Sequence, residues 1–279
     1  MVYVRVWLAW LVLPSCNWVF GLEPTSLPPP DAPPTCPAFG QSLEFSASLA
    51  DAVNEPCFQY TASQEADLAT AACGTGGTYT IREGTLGSKV LADSMIAPIL
   101  AGDRFDQVAL TPEGDQLFVR ELQGAVGRFV RYRRLGNAWQ QPDMPFAQLS
   151  STDSIGTPSD RTTPSGRRLA IAHNISLIEL AENPDGTYRQ LRETLYTDLQ
   201  VTFIFAPNLS RDGLRVTFHG TNNSVQQVLI AERSSLDTTF GPARPIGGLP
   251  TGQVMTPFMT EDCGRLYFSS LGRVMYASR

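Results

Sequence analysis

The residues whose chemistry is easiest to predict in this chain are four cysteines, Cys36, Cys57, Cys73 and Cys263. If the protein is exported, disulfides are stable, and four cysteines allow three pairings. Cys57 and Cys73 lie symmetrically about residue 65, where a hairpin turn is predicted, so they should face each other across that hairpin. By subtraction, Cys36 pairs with Cys263. The alternative is that all four remain free and act as small buried apolar side chains.

Acidic side chains near the predicted inner strands are the second candidate for chemistry, namely Glu55, Asp106 and Asp160. Glycoside hydrolysis needs two carboxylates about 5–10 Å apart, and these three could supply them. No Gly-x-Ser-x-Gly nucleophile motif is present, and the two histidines lack the Cys or carboxylate spacing of a zinc site. We therefore predict no metal and no cofactor, and treat the three carboxylates as an alternative catalytic set only.

A repeated sequence unit supplies the elements that must position these residues. A polar turn followed by a short alternating strand recurs about every 50 residues. The four clear copies are LTPEGDQLFV at 110–119, TTPSGRRLAI at 162–171, LSRDGLRVTF at 209–218 and MTEDCGRLYF at 259–268. A fifth, degenerate copy covers residues 61–71.

Each unit has room for four short antiparallel strands, which is typical of a β-propeller blade. We therefore predict an all-β fold, a propeller of five four-stranded blades. The alternative is six blades, with an additional blade between Ile81 and Asp103 or between Asn137 and Ser159.

The last unit ends before its fourth strand. Residues 38–45, AFGQSLEF, match the aromatic-Gly pattern of residues 239–246, TFGPARPI. We predict that this N-terminal strand completes the last blade, because such closure covers an open sheet edge. A bridge between Cys36 and Cys263 would then lock the ring.

The N-terminal residues predict export. Residues 1–21 contain Arg5 and a short apolar stretch, VWLAWLVL, which is typical of a signal peptide. Cleavage before Cys16, with lipidation of this cysteine, and cleavage after Gly21 are both compatible with the sequence; an uncleaved membrane helix is the third option. Residues 22–37 are Pro-rich and predict an extended linker, and residues 38–279 form the predicted propeller domain.

Composition limits the partners. The chain has 21 Lys and Arg against 27 Asp and Glu and shows no basic stripe, so a nucleic-acid partner is not expected. Hydrophobic residues make up 42% of the chain, which is typical of a folded globular domain.

The turns SRDGLRVTF and TEDCGRLYFSS resemble the repeat of TolB-like propellers of secreted bacterial type, in which Ser-Pro-Asp-Gly precedes a basic residue and an aromatic-rich strand. The resemblance implies a periplasmic or cell-surface binding scaffold and transfers no catalytic residues. The expected function is thus non-enzymatic binding of a protein or glycan by one loop face. If Cys16 is lipidated, the protein is also attached to the bacterial envelope; otherwise it is secreted. The alternative is a propeller glycosidase or related hydrolase acting on extracellular polysaccharide.

Overall fold

A computed structural model describes residues 36–46, 48–75, 78–100, 104–124, 126–146, 152–161, 166–250 and 254–279. All of them belong to one unit, Thr35–Arg279. The predicted signal peptide, Cys16 and residues 22–35 of the predicted linker lie outside the described residues. All regular secondary structure in the described part is β-strand, as predicted. It contains no helix long and apolar enough to cross a membrane.

The strands form five consecutive units, which we number along the chain. Unit 1 contains β1 (Leu49–Ser63), β2 (Leu68–Thr75), β3 (Thr78–Gly84) and β4 (Ala92–Asp93). Unit 2 contains β5 (Arg104–Leu110), β6 (Gln116–Gln123), β7 (Val126–Leu135) and β8 (Ala138–Trp139). Unit 3 contains β9 (Ser154–Ile155), β10 (Arg168–His173), β11 (Ser176–Glu182) and β12 (Tyr188–Leu195). Unit 4 contains β13 (Phe203–Leu209), β14 (Arg215–Asn222), β15 (Val225–Glu232) and β16 (Arg244–Pro245). Unit 5 contains β17 (Met255–Met259), β18 (Arg265–Ser270) and β19 (Arg273–Ser278).

Units 2, 3 and 4 are separate four-stranded antiparallel sheets, whereas units 5 and 1 share one seven-stranded sheet with the order β17-β18-β19-β1-β2-β3-β4. Strand β1 changes partner along its length. Leu49–Asp51 pair with β19, and Cys57–Ser63 pair with β2. The start of β1 is therefore the outer strand beside unit 5, and its end is the first strand of unit 1.

The position predicted for the N-terminal strand was wrong by several residues. Residues 38–45 do not form the strand beside β19. Glu44 instead makes a parallel bridge to Gly247, after β16, and the Phe45 amide donates to the Gly247 carbonyl at 3.1 Å. A side chain at Gly248 would collide with the Phe45 carbonyl, so the close approach requires glycine there. No additional four-stranded sheet occurs in the described residues of either stretch considered for a sixth blade.

The polar turns of the repeat are held by a recurring hydroxyl. The side-chain oxygens of Thr111, Ser210 and Thr260 each accept a hydrogen bond from the amide of the residue that begins the next strand, at 2.9–3.1 Å. The turn also needs a left-handed residue, which is Gly114 in unit 2 and Gly213 in unit 4. The repeated sequence therefore encodes one turn geometry.

The first strands of neighbouring units run parallel. The amide of Val108 donates to the Gln59 side chain and the amide of Leu110 donates to the Thr61 side chain, both at 3.2 Å. Moving two residues forward in β5 thus corresponds to moving two residues forward in β1, which means that the two strands run in the same direction. Because each sheet is antiparallel, all turns between first and second strands lie on one side of the molecule. We name this side the A–B face, and the opposite side, which carries the turns between second and third strands, the B–C face.

Five buried apolar clusters hold the units together, and each is shared by two consecutive units. The cluster between units 1 and 2 includes Leu68, Val108 and Leu117. The next three join units 2 to 3, 3 to 4 and 4 to 5. The fifth joins unit 5 to unit 1 and includes Tyr60 and Tyr267, whose rings stack at 4.6 Å between centroids. Every unit thus packs on two neighbours.

Candidate functional site

Polar side chains of the first strands fill the centre of the molecule. They are all buried, with exposed fractions of 0–5%, and they are Gln59, Thr61, Gln107, Ser154, Thr157, Asn208 and Thr256. In four of the units the pairing between first and second strand is irregular at this level. Such bulges redirect side chains, here toward the axis.

Hydrogen bonds connect these side chains across the axis and around it. The hydroxyls of Thr61 and Thr157, from units 1 and 3, are 3.1 Å apart. Asn208 of unit 4 accepts from the Thr157 amide at 2.7 Å and donates to the Pro257 carbonyl of unit 5. Thr256 of unit 5 donates to the Phe58 carbonyl of unit 1 at 2.8 Å. At this level the axis is filled by hydrogen-bonded side chains, which we call the plug.

Each predicted catalytic carboxylate is engaged by an arginine. Glu55 lies 3.6 Å from Arg82. Asp106 accepts from the Arg120 Nε at 2.6 Å. Asp160 is buried and paired with Arg211, which also binds Glu261 of unit 5 at 2.8 Å and Glu65 of unit 1 at 3.0 Å.

Two of these carboxylates, Asp106 and Asp160, lie at opposite ends of the first strands. Asp106 lies at the beginning of β5, whereas Asp160 follows β9 and its amide donates to the Arg211 carbonyl in a turn of the A–B face. The two are separated by about 20 Å along the strand direction, roughly six residues of extended chain. A glycosidase pair requires about 5–10 Å, so Asp106 and Asp160 do not form one.

The cysteines pair as predicted. The structure contains a Cys57–Cys73 disulfide inside unit 1 and a Cys36–Cys263 disulfide that links the N-terminal segment to the A–B turn of unit 5. Cys263 has the left-handed conformation that glycine adopts in the corresponding turns of units 2 and 4. Glu55 lies close to Cys57 and Cys73, but oxidised sulfurs are not thiolate ligands, so this group does not form a zinc site.

The B–C face carries exposed aliphatic side chains on successive turns. Val126, Ile175, Val225 and Leu271 lie in or directly after the B–C turns of units 2 to 5, and they are 55%, 71%, 43% and 79% exposed. Single exposed apolar residues are common on protein surfaces. An exposed aliphatic residue in or directly after the B–C turn recurs in four units of one face, which is a pattern.

The conformation of Leu271 strengthens this pattern. The turns of units 4 and 5 have two residues, and both residues have positive φ: Asn223 and Ser224 in one, Leu271 and Gly272 in the other. Such turns favour Asn, Asp and Gly, and a left-handed leucine costs about 1–2 kcal/mol relative to its ordinary backbone conformation. Leucine at position 271 is thus unfavourable for two reasons, its left-handed backbone conformation and the exposure of its apolar side chain to water.

Aromatic rings lie at the end of the first strands nearest this face. Phe58 of unit 1 is 5.7 Å from Tyr79 and 6.3 Å from Phe205 of unit 4, between ring centroids. Phe205 stacks in turn with Phe203, which is 41% exposed. Phe203 also contacts His219, a buried histidine whose ring nitrogens have no partner among the described residues. Burial lowers the pKa of His219, so its imidazole is neutral.

A polar cluster lies beside units 2 and 3 on the same side of the molecule. Asp153 is fully buried and its carboxylate lies 2.7 Å from the Nδ1 of His173. The Nε2 of His173 is 2.8 Å from the amide nitrogen of Asn174, so both ring nitrogens are engaged. Arg120 donates to the Asp153 carbonyl at 3.0 Å. Ser176 donates to the backbone carbonyl of His173 at 3.2 Å. The partners of the imidazole itself are Asp153 and Asn174, neither of them a nucleophile, so these residues are not a nucleophile–base pair.

The sequence analysis did not identify these B–C turn residues. The available indication was an aliphatic residue beside each short turn, as in NNSV at 222–225 and SLGR at 270–273. The opposite end of the axis has a narrow apolar pocket lined by Ala62, Leu209 and Phe258, with about 30 Å³ of free volume. That volume holds about one or two water molecules.

Comparison with known proteins identifies the fold. No family model and no curated protein matches the chain. TolB from Acinetobacter baumannii is 11% identical, with a TM-score of 0.51 over 81% of this chain and 55% of that chain. A functionally unknown protein from Desulfotomaculum acetoxidans is 13% identical (TM-score 0.49, 78% of this chain and 64% of that chain). The Cps50 β-propeller domain from Myceliophteria thermophila is 9% identical (TM-score 0.40, 80% and 65%). The chain thus spans less than two thirds of the length of these structures, and the TolB match shows that its fold is a β-propeller.

Proposed function

We propose that this protein is an exported, non-enzymatic β-propeller of five blades that binds a protein partner through its B–C face. The five units are the blades, and the seven-stranded sheet is the last and the first blade joined through β1. Two features support ring closure, the apolar cluster between units 5 and 1 and the bond from Thr256 to the Phe58 carbonyl. Closure in this way leaves no open sheet edge between the terminal blades.

The observation that carries the proposal is the set of exposed aliphatic side chains on the B–C turns. Protein interfaces have an apolar centre, often with aromatic residues, inside a polar rim. The aliphatic turns together with Phe203 provide the apolar part, and Arg128 and Arg273 provide charged positions on the same side. In a turn that faces only water, a left-handed leucine carries a conformational cost without any gain from burial. A partner that covers Leu271 would offset that cost.

A protein partner fits these residues better than a glycan. Aliphatic side chains gain from contact with other apolar groups, and sugars present mostly hydroxyls to such turns. The aromatic rings of Phe58, Phe203 and Phe205 are the feature that a glycan would use instead, so glycan binding is the competing outcome of the test.

The two disulfides support the proposed export. Both disulfides would be reduced in most cytosols, and their presence agrees with export. Lipidation of Cys16 would then attach the propeller to an envelope membrane, and cleavage after Gly21 would release it. Mass spectrometry of the mature protein distinguishes the two, because only the lipidated form begins at a modified Cys16.

The test is site-specific photo-crosslinking in the cells that produce the protein. A photoreactive residue is placed at Ile175 or Leu271, and, as matched control, at Leu135, an aliphatic residue 73% exposed at the other end of β7. We expect one discrete protein adduct from both B–C positions and none from position 135. The adduct should disappear when purified wild-type propeller competes, but not when the competitor carries Ile175→Asp and Leu271→Asp.

Two results would refute the proposal. Equal adducts from position 135 and from the B–C positions would show that contact is unspecific. Adducts to polysaccharide alone, with binding lost in Phe203→Ala, would assign the face to a glycan.

A further inference from the structure

A wide cleft opens on the A–B face, between units 2 and 3, far from the B–C turns. Its volume is about 750 Å³, within the range of pockets that bind small ligands. The side chains that matter for its chemistry are Gln116, Arg133, Arg161, Arg167, Glu182 and Arg189. They come from the ends of β6 and β7 in unit 2 and from the segments around β10 to β12 in unit 3.

Buried ion pairs fix the floor of the cleft. Arg167 is fully buried and donates to Glu113 at 2.6 Å, to Asp115 at 2.9 Å and to Glu182 at 3.2 Å. Burial opposes the charge of Arg167, but these three carboxylates outweigh it and raise the pKa of the guanidinium. Gln116 donates to the other oxygen of Glu182 at 3.1 Å. Residues of both units are therefore held in place without a ligand.

Two atoms of this floor lack a partner. The Nε of Arg167 and the Oε1 of Gln116 are buried and make no hydrogen bond within the described part of the chain. Buried polar atoms are nearly always paired, so each unpaired one calls for an explanation. One atom is a donor and the other an acceptor, and a ligand hydroxyl can satisfy either kind.

Arginines outnumber carboxylates among the residues that line the cleft. Four arginines line it, whereas its acidic lining residues are Glu182 and Asp185. The carboxylates of Glu113 and Asp115, which balance Arg167, are not part of the lining. Arg133 pairs with Asp143 at 3.3 Å and Arg161 with Asp115 at 2.9 Å, and both side chains are about half exposed. Arg189 is exposed and forms no ion pair with the described residues. Guanidinium groups bind carboxylates through two parallel hydrogen bonds.

We propose that this cleft binds an acidic saccharide, with sugar hydroxyls against Arg167 and Gln116 and a sugar carboxylate against Arg133 and Arg189. A sugar hydroxyl can both donate and accept a hydrogen bond, so hydroxyls explain why the Arg167 Nε donor and the Gln116 Oε1 acceptor are both unpaired in this cleft. The carboxylate gives Arg189 an ionic partner and gives the exposed Arg133 a second one beside Asp143. This inference does not rest on the proposed protein partner, because the two sites lie on opposite faces.

The experiment uses the full disulfide-bonded propeller and oligomers of galacturonate, glucuronate and mannuronate, each beside its methyl ester. The ester keeps most of the hydroxyls and loses the charge. Calorimetry at low salt should show binding of at least one acidic oligomer, with the ester about tenfold weaker or more. The double variant Arg133→Ala, Arg189→Ala should weaken acidic binding by at least about tenfold as well.

Arg128→Ala is the matched control, since Arg128 is also an exposed arginine of β7 but lies at the B–C end of that strand. It should leave the affinity unchanged, as should Leu271→Asp, which separates this site from the proposed protein interface. Absence of binding by all three acidic oligomers would overturn the proposal. Inorganic phosphate binding as tightly as the oligomers, or the esters binding as tightly as the acids, would also overturn it.

Discussion

Removing the Cys36–Cys263 disulfide should strongly destabilise the propeller. This bridge joins residues 227 apart in sequence, from the N-terminal segment to the A–B turn of unit 5. In the chain-entropy description, a closed loop of that length stabilises the folded protein by about 5 kcal/mol. We therefore expect Cys36→Ser with Cys263→Ser to lower the free energy of unfolding by about 4–5 kcal/mol, and the melting temperature by roughly 10–20 °C.

The turn conformation makes the prediction sharper. Cys263 has φ of 54°, where the equivalent turns use Gly114 and Gly213. Serine keeps the strain of a left-handed residue, whereas glycine removes it. The pair Cys36→Ser, Cys263→Gly should accordingly be about 1 kcal/mol more stable than the pair with Cys263→Ser. The inverted order would show that glycine is not favoured at this turn.

Urea unfolding under non-reducing conditions is the measurement, and Cys57→Ser with Cys73→Ser is the comparison. That bridge spans only 16 residues and should contribute about 3 kcal/mol. The long bridge must therefore cost more than the short one when removed. Equal losses, or a loss below about 1 kcal/mol for the Cys36–Cys263 pair, would refute the reasoning.

Two further predictions concern buried charges. The lowered pKa of His219 means that the folded protein binds a proton at this residue less readily than the unfolded chain does. The free energy of unfolding should therefore fall as the pH falls below about 6.5, by at most about 1.4 kcal/mol per pH unit from this residue. In His219→Leu this contribution should be missing from the free energies of unfolding measured between pH 7 and pH 5, and an unchanged pH dependence would contradict the prediction. Glu179 is buried among Arg168, Arg192 and Arg233 and balances their three guanidinium groups. Glu179→Ala should lower the free energy of unfolding in urea by about 3–5 kcal/mol, because it leaves buried arginines without their carboxylate. A decrease under about 1 kcal/mol would contradict this explanation.

Local turn chemistry explains why much of the fold could be predicted. Each repeat carries a hydroxyl residue and a left-handed position a few residues apart, and the structure uses both in the same way at Ser210 and Thr260. The pairing of Cys57 with Cys73 could be predicted for a related reason. Hairpin symmetry places Cys57 opposite Cys73, and that register is set by the short turn between them.

The strand that pairs with β19 could not be located from its pattern. An aromatic residue followed by Gly occurs at Phe39 and at Phe240. This shared pattern predicts that the two segments occupy equivalent positions in their sheets. The two segments instead approach each other, since Glu44 bridges Gly247. Register between distant segments depends on packing, and a sequence pattern does not contain it.

The candidate sites were missed because they join residues that are far apart in the sequence. Gln116 and Arg167 form one floor only when unit 2 packs on unit 3. For Asp106 and Asp160 the difficulty is the converse one: counting from the repeat places both near the axis but does not say at which end each lies. A propeller needs its strand directions before side chains can be assigned to a face.

The plug at the axis explains why binding should be distributed over two faces. Thr61 and Thr157 meet at the centre, and the surrounding polar side chains bond to the neighbouring units. In the proposed five-bladed ring, these side chains join the blades at the centre and occupy the place of a central channel. What remains are surfaces formed between or beside blades, namely the B–C turns at one end and the cleft between units 2 and 3 at the other. Because described side chains fill the axis between them, the two proposed sites should bind their ligands independently.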